Sequence, residues 1–138
     1  MRFAITVETD GRPGMSLDFF LLDYMGTKIG MVSSQHFHAA PLPDKPGRFA
    51  AVIELQPMWL ASGPYYLDVA TAVPYVCWDH YVENALEFEC LFRGLHGLSY
   101  DFRQDSGYGP CALLLKERIE FHPVAVTAAE HGPAPELL

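Results

Sequence analysis

The chain has 138 residues, of which 50% are hydrophobic and 13% aromatic, enough for one domain with a real core and too few for a second. Nine Lys and Arg against 17 Asp and Glu leave a formal charge of −8, which repels phosphate backbones and anionic lipid and excludes nucleic acid as an expected partner. No window approaches the ~18 consecutive apolar residues of a membrane span, the amino terminus does not read as a secretory signal, and three cysteines without CxxC spacing point to reduced, buried thiols in the cytoplasm.

Hydrophobicity alternates with a period of two along most of the chain, the mark of strands with one dry and one wet face. In the first strand Phe3, Ile5 and Val7 point inward; in the second Leu17, Phe19 and Leu21 do, which puts Phe20 and Leu22 on the side facing water. The turn Asp23-Tyr24-Met25-Gly26 reverses the chain into a strand over 27–34, since Gly tolerates the positive φ of a hairpin. Three prolines between Gln35 and Gly47 remove ladder donors, so that stretch is a long loop. Phe49, Ala51, Ile53 and Leu55 face inward in the next strand; a connection holding Trp59 and Leu60 leads to the stripe Tyr65, Leu67 and Val69. Residues 73–80 read as a connection, 85–90 as a strand with Glu87 and Glu89 on its wet face, 93–110 as a glycine-rich loop and 111–121 as a closing strand. These elements predict an all-β domain over 1–122, an antiparallel β-sandwich of about seven to nine strands with immunoglobulin-like and jelly-roll connectivity both open. The tail 123–138 has little to bury and is expected to be mobile.

The motifs of common chemistries are missing. Neither GxxxxGK[ST] nor GxSxG occurs, which excludes ATP hydrolysis on this chain and leaves serine hydrolysis without a signal. His36 and His38, two apart, would face the same way on an extended backbone, with His80 or His122 as a third metal ligand, but no carboxylate has a diagnostic spacing to them. A small metal-dependent enzyme is therefore the weakest alternative. Asp18, Asp68, Asp79 and Glu83 could supply a carboxylate pair for glycoside hydrolysis, although only solvated strand faces are needed to explain them. No catalytic residue, metal ligand or cofactor is assigned. The aromatics say more: Phe20, Leu22 and Tyr66 form an outward apolar stripe, and Trp59, Tyr75, Trp78, Tyr81, Tyr100 and Tyr108 fall in connections. Exposed rings suit a sugar, whose C–H faces pack on them while its hydroxyls bond to polar neighbours. Strand parity selects Phe20, Tyr66 and Asp68, with Arg48, Trp78 and His80 at strand ends, as the candidate carbohydrate site. The rival use of the same stripe is a protein-interaction or dimerisation surface.

The order of these segments resembles a known family. Leu17-Asp18-Phe19-Phe20-Leu21-Leu22-Asp23-Tyr24-Met25-Gly26-Thr27 followed by Val32-Ser33-Ser34, then Gly47 to Leu55, then Leu60 with Gly63-Pro64-Tyr65-Tyr66-Leu67-Asp68-Val69, and finally Asp79 with Ala85 to Cys90, is similar to the C-terminal domain of Wzt-type ATP-binding proteins of O-antigen polysaccharide ABC exporters. Cys90 stands where that family usually has Val, and the 93–110 loop is long for it. The resemblance, over residues 1–121, implies a noncatalytic module that binds the non-reducing terminus of a polysaccharide and licenses its export. It further implies a homodimer, contact with transporter ATP-binding and membrane subunits, and a cytoplasmic location at the inner face of the membrane without insertion into it. The nucleotide-binding domain is not among these residues, so the expectation is either an excised domain or a separate protein using the module.

Overall fold

The computed structural model describes residues 1–56, 58–93, 101–116 and 119–124. Among them the chain forms β1 (Arg2–Thr9), β2 (Ser16–Leu22), β3 (Lys28–Ser33), a short helix α1 (Ser34–His38), β4 (Gly47–Glu54), β5 (Gly63–Val73) and β6 (Cys77–Cys90), followed by a single 3-10 turn at Gln104–Ser106. The fold is all-β, with two antiparallel sheets: β1 with β4, and four strands in the order β3-β2-β5-β6. Six strands, not seven to nine, are present among the described residues.

The alternating patterns produce these pairings directly. Phe3, Ile5 and Val7 of β1 lie opposite Ile53, Ala51 and Phe49 of β4, so both strands turn their apolar sides the same way. That side meets Leu17 and Phe19 of β2 and Val69 of β5 in the main core, where Phe19 is 2% exposed. Burying a side chain of this kind contributes about 1.5–3 kcal/mol. A second cluster, Leu21, Leu60, Tyr65 and Leu67, extends the core toward the start of β5. The β2–β3 hairpin turns as expected at Asp23–Gly26, where Asp23 Oδ1 accepts from the backbone N–H of Met25 and Thr27 and Gly26 takes φ +79°.

Several expectations need correcting. The loop after Gln35 opens with α1, capped by Ser33 Oγ accepting from His36 N, so His36 and His38 sit on a helical turn and not on an extended backbone. The 73–80 connection shrinks to the turn Pro74–Val76, because β6 begins at Cys77 and pairs Trp78 with Ala72 and His80 with Thr71. The closing strand does not form among the described residues: Cys111 makes one isolated bridge to Leu60, and 112–116 and 119–124 carry no ladder. Alternation states which way side chains would point in a strand and does not by itself supply a pairing partner. Cys77 and Cys111 are exposed and Cys90 is half-buried, so the thiols are free but not sequestered. Residues 94–100, with Tyr100, and all of the tail beyond Val124 lie outside the described residues.

The segment around 101–112 is nonetheless fastened to the sheet. Ala61 N donates to Pro110 O at 2.8 Å, Ala112 N to Trp59 O at 2.7 Å and Ser62 N to Phe102 O at 2.7 Å. Gln104, 7% exposed, donates from Nε2 to Pro64 O at 2.8 Å and accepts from Tyr24 N at 3.0 Å, tying the hairpin turn to the start of β5. A Cβ at Gly63 (φ +139°) would stand 2.8 Å from that Nε2, which is why this approach needs glycine.

Candidate ligand-binding face

The outer face of the four-stranded sheet, away from the β1–β4 sheet, carries the even-numbered residues of β2 and β5. Phe20 pairs with Asp68, Leu22 with Tyr66, and Asp18 with Ala70. On the next strand Tyr81 lies opposite Ala70 and Trp78 opposite Ala72. The two alanines leave room above β5, and rings from both sides lean into it. Phe20 meets Trp78 edge-on with centroids 5.6 Å apart and stacks on Tyr81 at 6.1 Å, while Trp78 and Tyr81 are themselves edge-on at 5.7 Å. Lys28 Nζ sits 4.6 Å from the Phe20 centroid and 5.4 Å from that of Tyr81.

This packing corrects the expected wet stripe. Phe20 and Leu22 are buried and Tyr66 is half-buried, in a cluster with Ala70 and Tyr81 that is separate from the main core. The parity was right, since these residues do point away from the core, but cross-strand neighbours close over them. Trp78, 54% exposed, is the ring that stays accessible.

Asp68 is buried beside this cluster at a break in the β5–β6 ladder. Leu67 pairs with Leu86 and Val69 with Val82, so residues 83–85 bulge opposite Asp68 alone. Its carboxylate fills the gap: Oδ1 accepts from Asn84 N at 2.8 Å and Oδ2 from the Tyr81 hydroxyl at 2.7 Å. Asn84 takes φ +48°, a conformation Asn adopts more readily than most residues. Burial, and then the bond to Asp68, push the Tyr81 hydroxyl pKa up, so it remains a donor. Farther along the same face Ser16, Asp18 and Ser33 are buried together, with Ser16 Oγ donating to Asp18 Oδ1 and lying 3.1 Å from Ser33 Oγ.

Of the candidates from sequence, Phe20, Tyr66, Asp68 and Trp78 therefore share one face, and Arg48 and His80 do not. Arg48 lies on β4 in the other sheet, exposed and 3.9 Å from Glu8. His80 lines a cleft of about 480 Å³ between β1 and β6, near Thr6, Glu8 and Asp79. Asp79 is committed there, accepting from Arg12 at 2.6 Å and from the Thr71 hydroxyl at 3.2 Å. The three histidines of the metal alternative are divided between α1 and this cleft, and among the described residues no group of three His, Cys, Asp or Glu is placed to hold a metal ion. Sequence reasoning missed Lys28 and Asn84. Lys28 follows a turn glycine in a polar context, and nothing local shows that a bulge between Leu21 and Leu22 swings it over Phe20. Among the described residues no helix is long and apolar enough to cross a membrane. No protein-family model matches the chain, and no curated protein matches it.

Proposed function

We propose that the chain is a noncatalytic carbohydrate-binding module that recognises the non-reducing terminus of a cell-surface polysaccharide of the O-antigen kind. The observation carrying this reading is the half-exposed indole of Trp78, braced edge-on by Phe20 and Tyr81 on the outer face of the four-stranded sheet. A ring held by its neighbours is a preorganised platform for the C–H face of a sugar, and it loses little entropy on binding. Asp68 is saturated by its own strand and acts as a support for Tyr81, so the polar contacts to the sugar fall to Tyr66, Lys28 and neighbouring backbone. The segment order resembling the C-terminal domain of Wzt-type exporters supports the same reading. In that setting the two sheets are an immunoglobulin-like or jelly-roll sandwich, the protein is a homodimer, and it works at the cytoplasmic face of the membrane beside transporter ATP-binding and membrane subunits. No cofactor is called for.

A glycan array followed by calorimetry with capped O-polysaccharides tests the proposal. Binding is expected to be weak, and Trp78→Ala should lower affinity roughly tenfold, equivalent to about 1.4 kcal/mol, without changing the fold. No binding to any capped polysaccharide overturns it. A protein-interaction or dimerisation role is favoured by a different observation: the exposed side chains of Leu113, Leu115, Ile119 and Phe121. Trp78→Ala and Ile119→Asp separate the two, since loss of sugar binding in the former with the oligomer intact supports the first, and dissociation of the latter in sedimentation with no sugar bound by the unaltered protein supports the second.

A further inference from the structure

Beyond the aromatic cluster, toward the β5–β6 turn, the same sheet face opens into a cleft of about 370 Å³ between that turn and α1, lined in part by Asp18, Met31, His36, Tyr75, Cys77 and Trp78. This size falls in the ~300–1,000 Å³ range of small-ligand sites. Asp18 lines the cleft although it is only 3% exposed. Among the described residues its carboxylate accepts one hydrogen bond, from Ser16 to Oδ1, and none reaches Oδ2. A carboxylate so far out of water ordinarily gathers two or more donors or a cation, as Asp68 does here. The walls offer aromatic and aliphatic surface, and apart from His36 no basic side chain lines the cleft. Tyr75, at the tip of the turn, takes φ +63° and brings its ring to 5.0 Å from that of His36. A left-handed tyrosine costs about 1–2 kcal/mol, so the turn holds this ring at the cleft rim against its own preference.

We propose that this cleft binds an organic ammonium group carried by an amino sugar, with Asp18 as the counter-charge and the faces of Trp78 and Tyr75 as its aromatic walls. A buried carboxylate beside two rings meets both requirements of an ammonium ion, a charge-assisted hydrogen bond and a π face, and it selects against anions and neutral amides. The sugar as carrier rests on the glycan-binding reading above; the ammonium specificity rests on the cleft alone.

Trp59→Phe leaves Trp78 as the sole tryptophan, so its fluorescence reports on the cleft. Glucosamine, N-acetylglucosamine, glucose and ethanolamine are titrated into this protein and into its Asp18→Asn derivative. The expected result is saturable binding of glucosamine at least about tenfold tighter than the two neutral sugars, with the preference erased by Asp18→Asn. Equal binding of all three sugars, unchanged by Asp18→Asn, overturns the ammonium site and leaves the glycan reading standing. Binding of ethanolamine with no sugar bound supports the ammonium site and overturns the sugar as its carrier. Silence from all four overturns the site. A second measurement needs no substitution: Cys77 lines the cleft, so cationic and anionic methanethiosulfonate reagents, followed by peptide mapping, report its local charge. Cys111, exposed elsewhere, corrects for the charge of the whole protein, whereas Cys90 is unsuitable because burial pushes its thiol pKa up. Cationic over anionic labelling is expected to be several-fold more favoured at Cys77 than at Cys111. An equal ratio at the two thiols overturns the proposal.

Discussion

Tyr65 shows how much one side chain decides. Its ring is fully buried and stacks on Phe88 with centroids 5.8 Å apart, while its hydroxyl donates to Ala61 O at 2.8 Å and lies 3.1 Å from Pro110 O. The phenol thus joins β5 to the 110–112 segment, which no strand ladder holds. Burial pushes its pKa well above the ordinary tyrosine value, with Cys90 and Cys111 adding to the shift. A raised folded-state pKa means that the contribution is complete below the unfolded value near 10 and is lost as pH climbs beyond it. Tyr65→Phe should therefore cost about 1–3 kcal/mol in urea denaturation at neutral pH, because it strands carbonyl groups in the interior. The same substitution should flatten the fall of stability between about pH 10 and 12, which denaturation curves collected across that window will show.

At the scale of elements, the break in the β5–β6 ladder is the feature on which the candidate face depends. Asp68, 4% exposed, takes the place of the missing cross-strand partner and orients Tyr81, which in turn stacks on Phe20. Asp68→Ala leaves the Asn84 N–H and the Tyr81 hydroxyl without their acceptor and should destabilise the domain by about 1–3 kcal/mol. Asn84→Val should cost about 1–2 kcal/mol, since a β-branched residue resists φ +48°, whereas Asn84→Gly should be tolerated. Denaturant midpoints for the three variants, with the near-ultraviolet signal of Trp78 and Tyr81, check both points. A small Asp68→Ala effect with that signal unchanged would mean that the bulge supports itself.

At the scale of the whole molecule, the two sheets are unequal. The β1–β4 pair offers an open edge on each strand among the described residues, and Leu113, Leu115, Ile119 and Phe121 stand exposed nearby in sequence to the segment held by Tyr65. Open edges and exposed apolar side chains are both reduced by association. Sedimentation equilibrium should accordingly find a dimer at micromolar concentration, shifted toward monomer by Ile119→Asp with Phe121→Asp. A monomer at all concentrations counts against the homodimer that the exporter-like reading expects.

What the amino-acid sequence determined by itself was whatever follows from local rules: the all-β class from period-two alternation, the hairpin at Asp23–Gly26 from its turn residues, the inward stripe Leu17, Phe19, Tyr65, Leu67 and Val69 from parity, and the proline-bearing loop before Gly47. The same parity also brought Phe20, Tyr66 and Asp68 to one face. Only the tertiary structure decided that Phe20 would be sealed on that face, that Arg48 and His80 would fall elsewhere, that β6 would start at Cys77, and that Asp18 would line a cleft with Trp78. Alternation states which way a side chain points. Whether water reaches it depends on the size and register of residues on neighbouring strands, here Ala70 and Ala72 with the bulges at Leu22 and Asp68, and on which sheet edges find a partner.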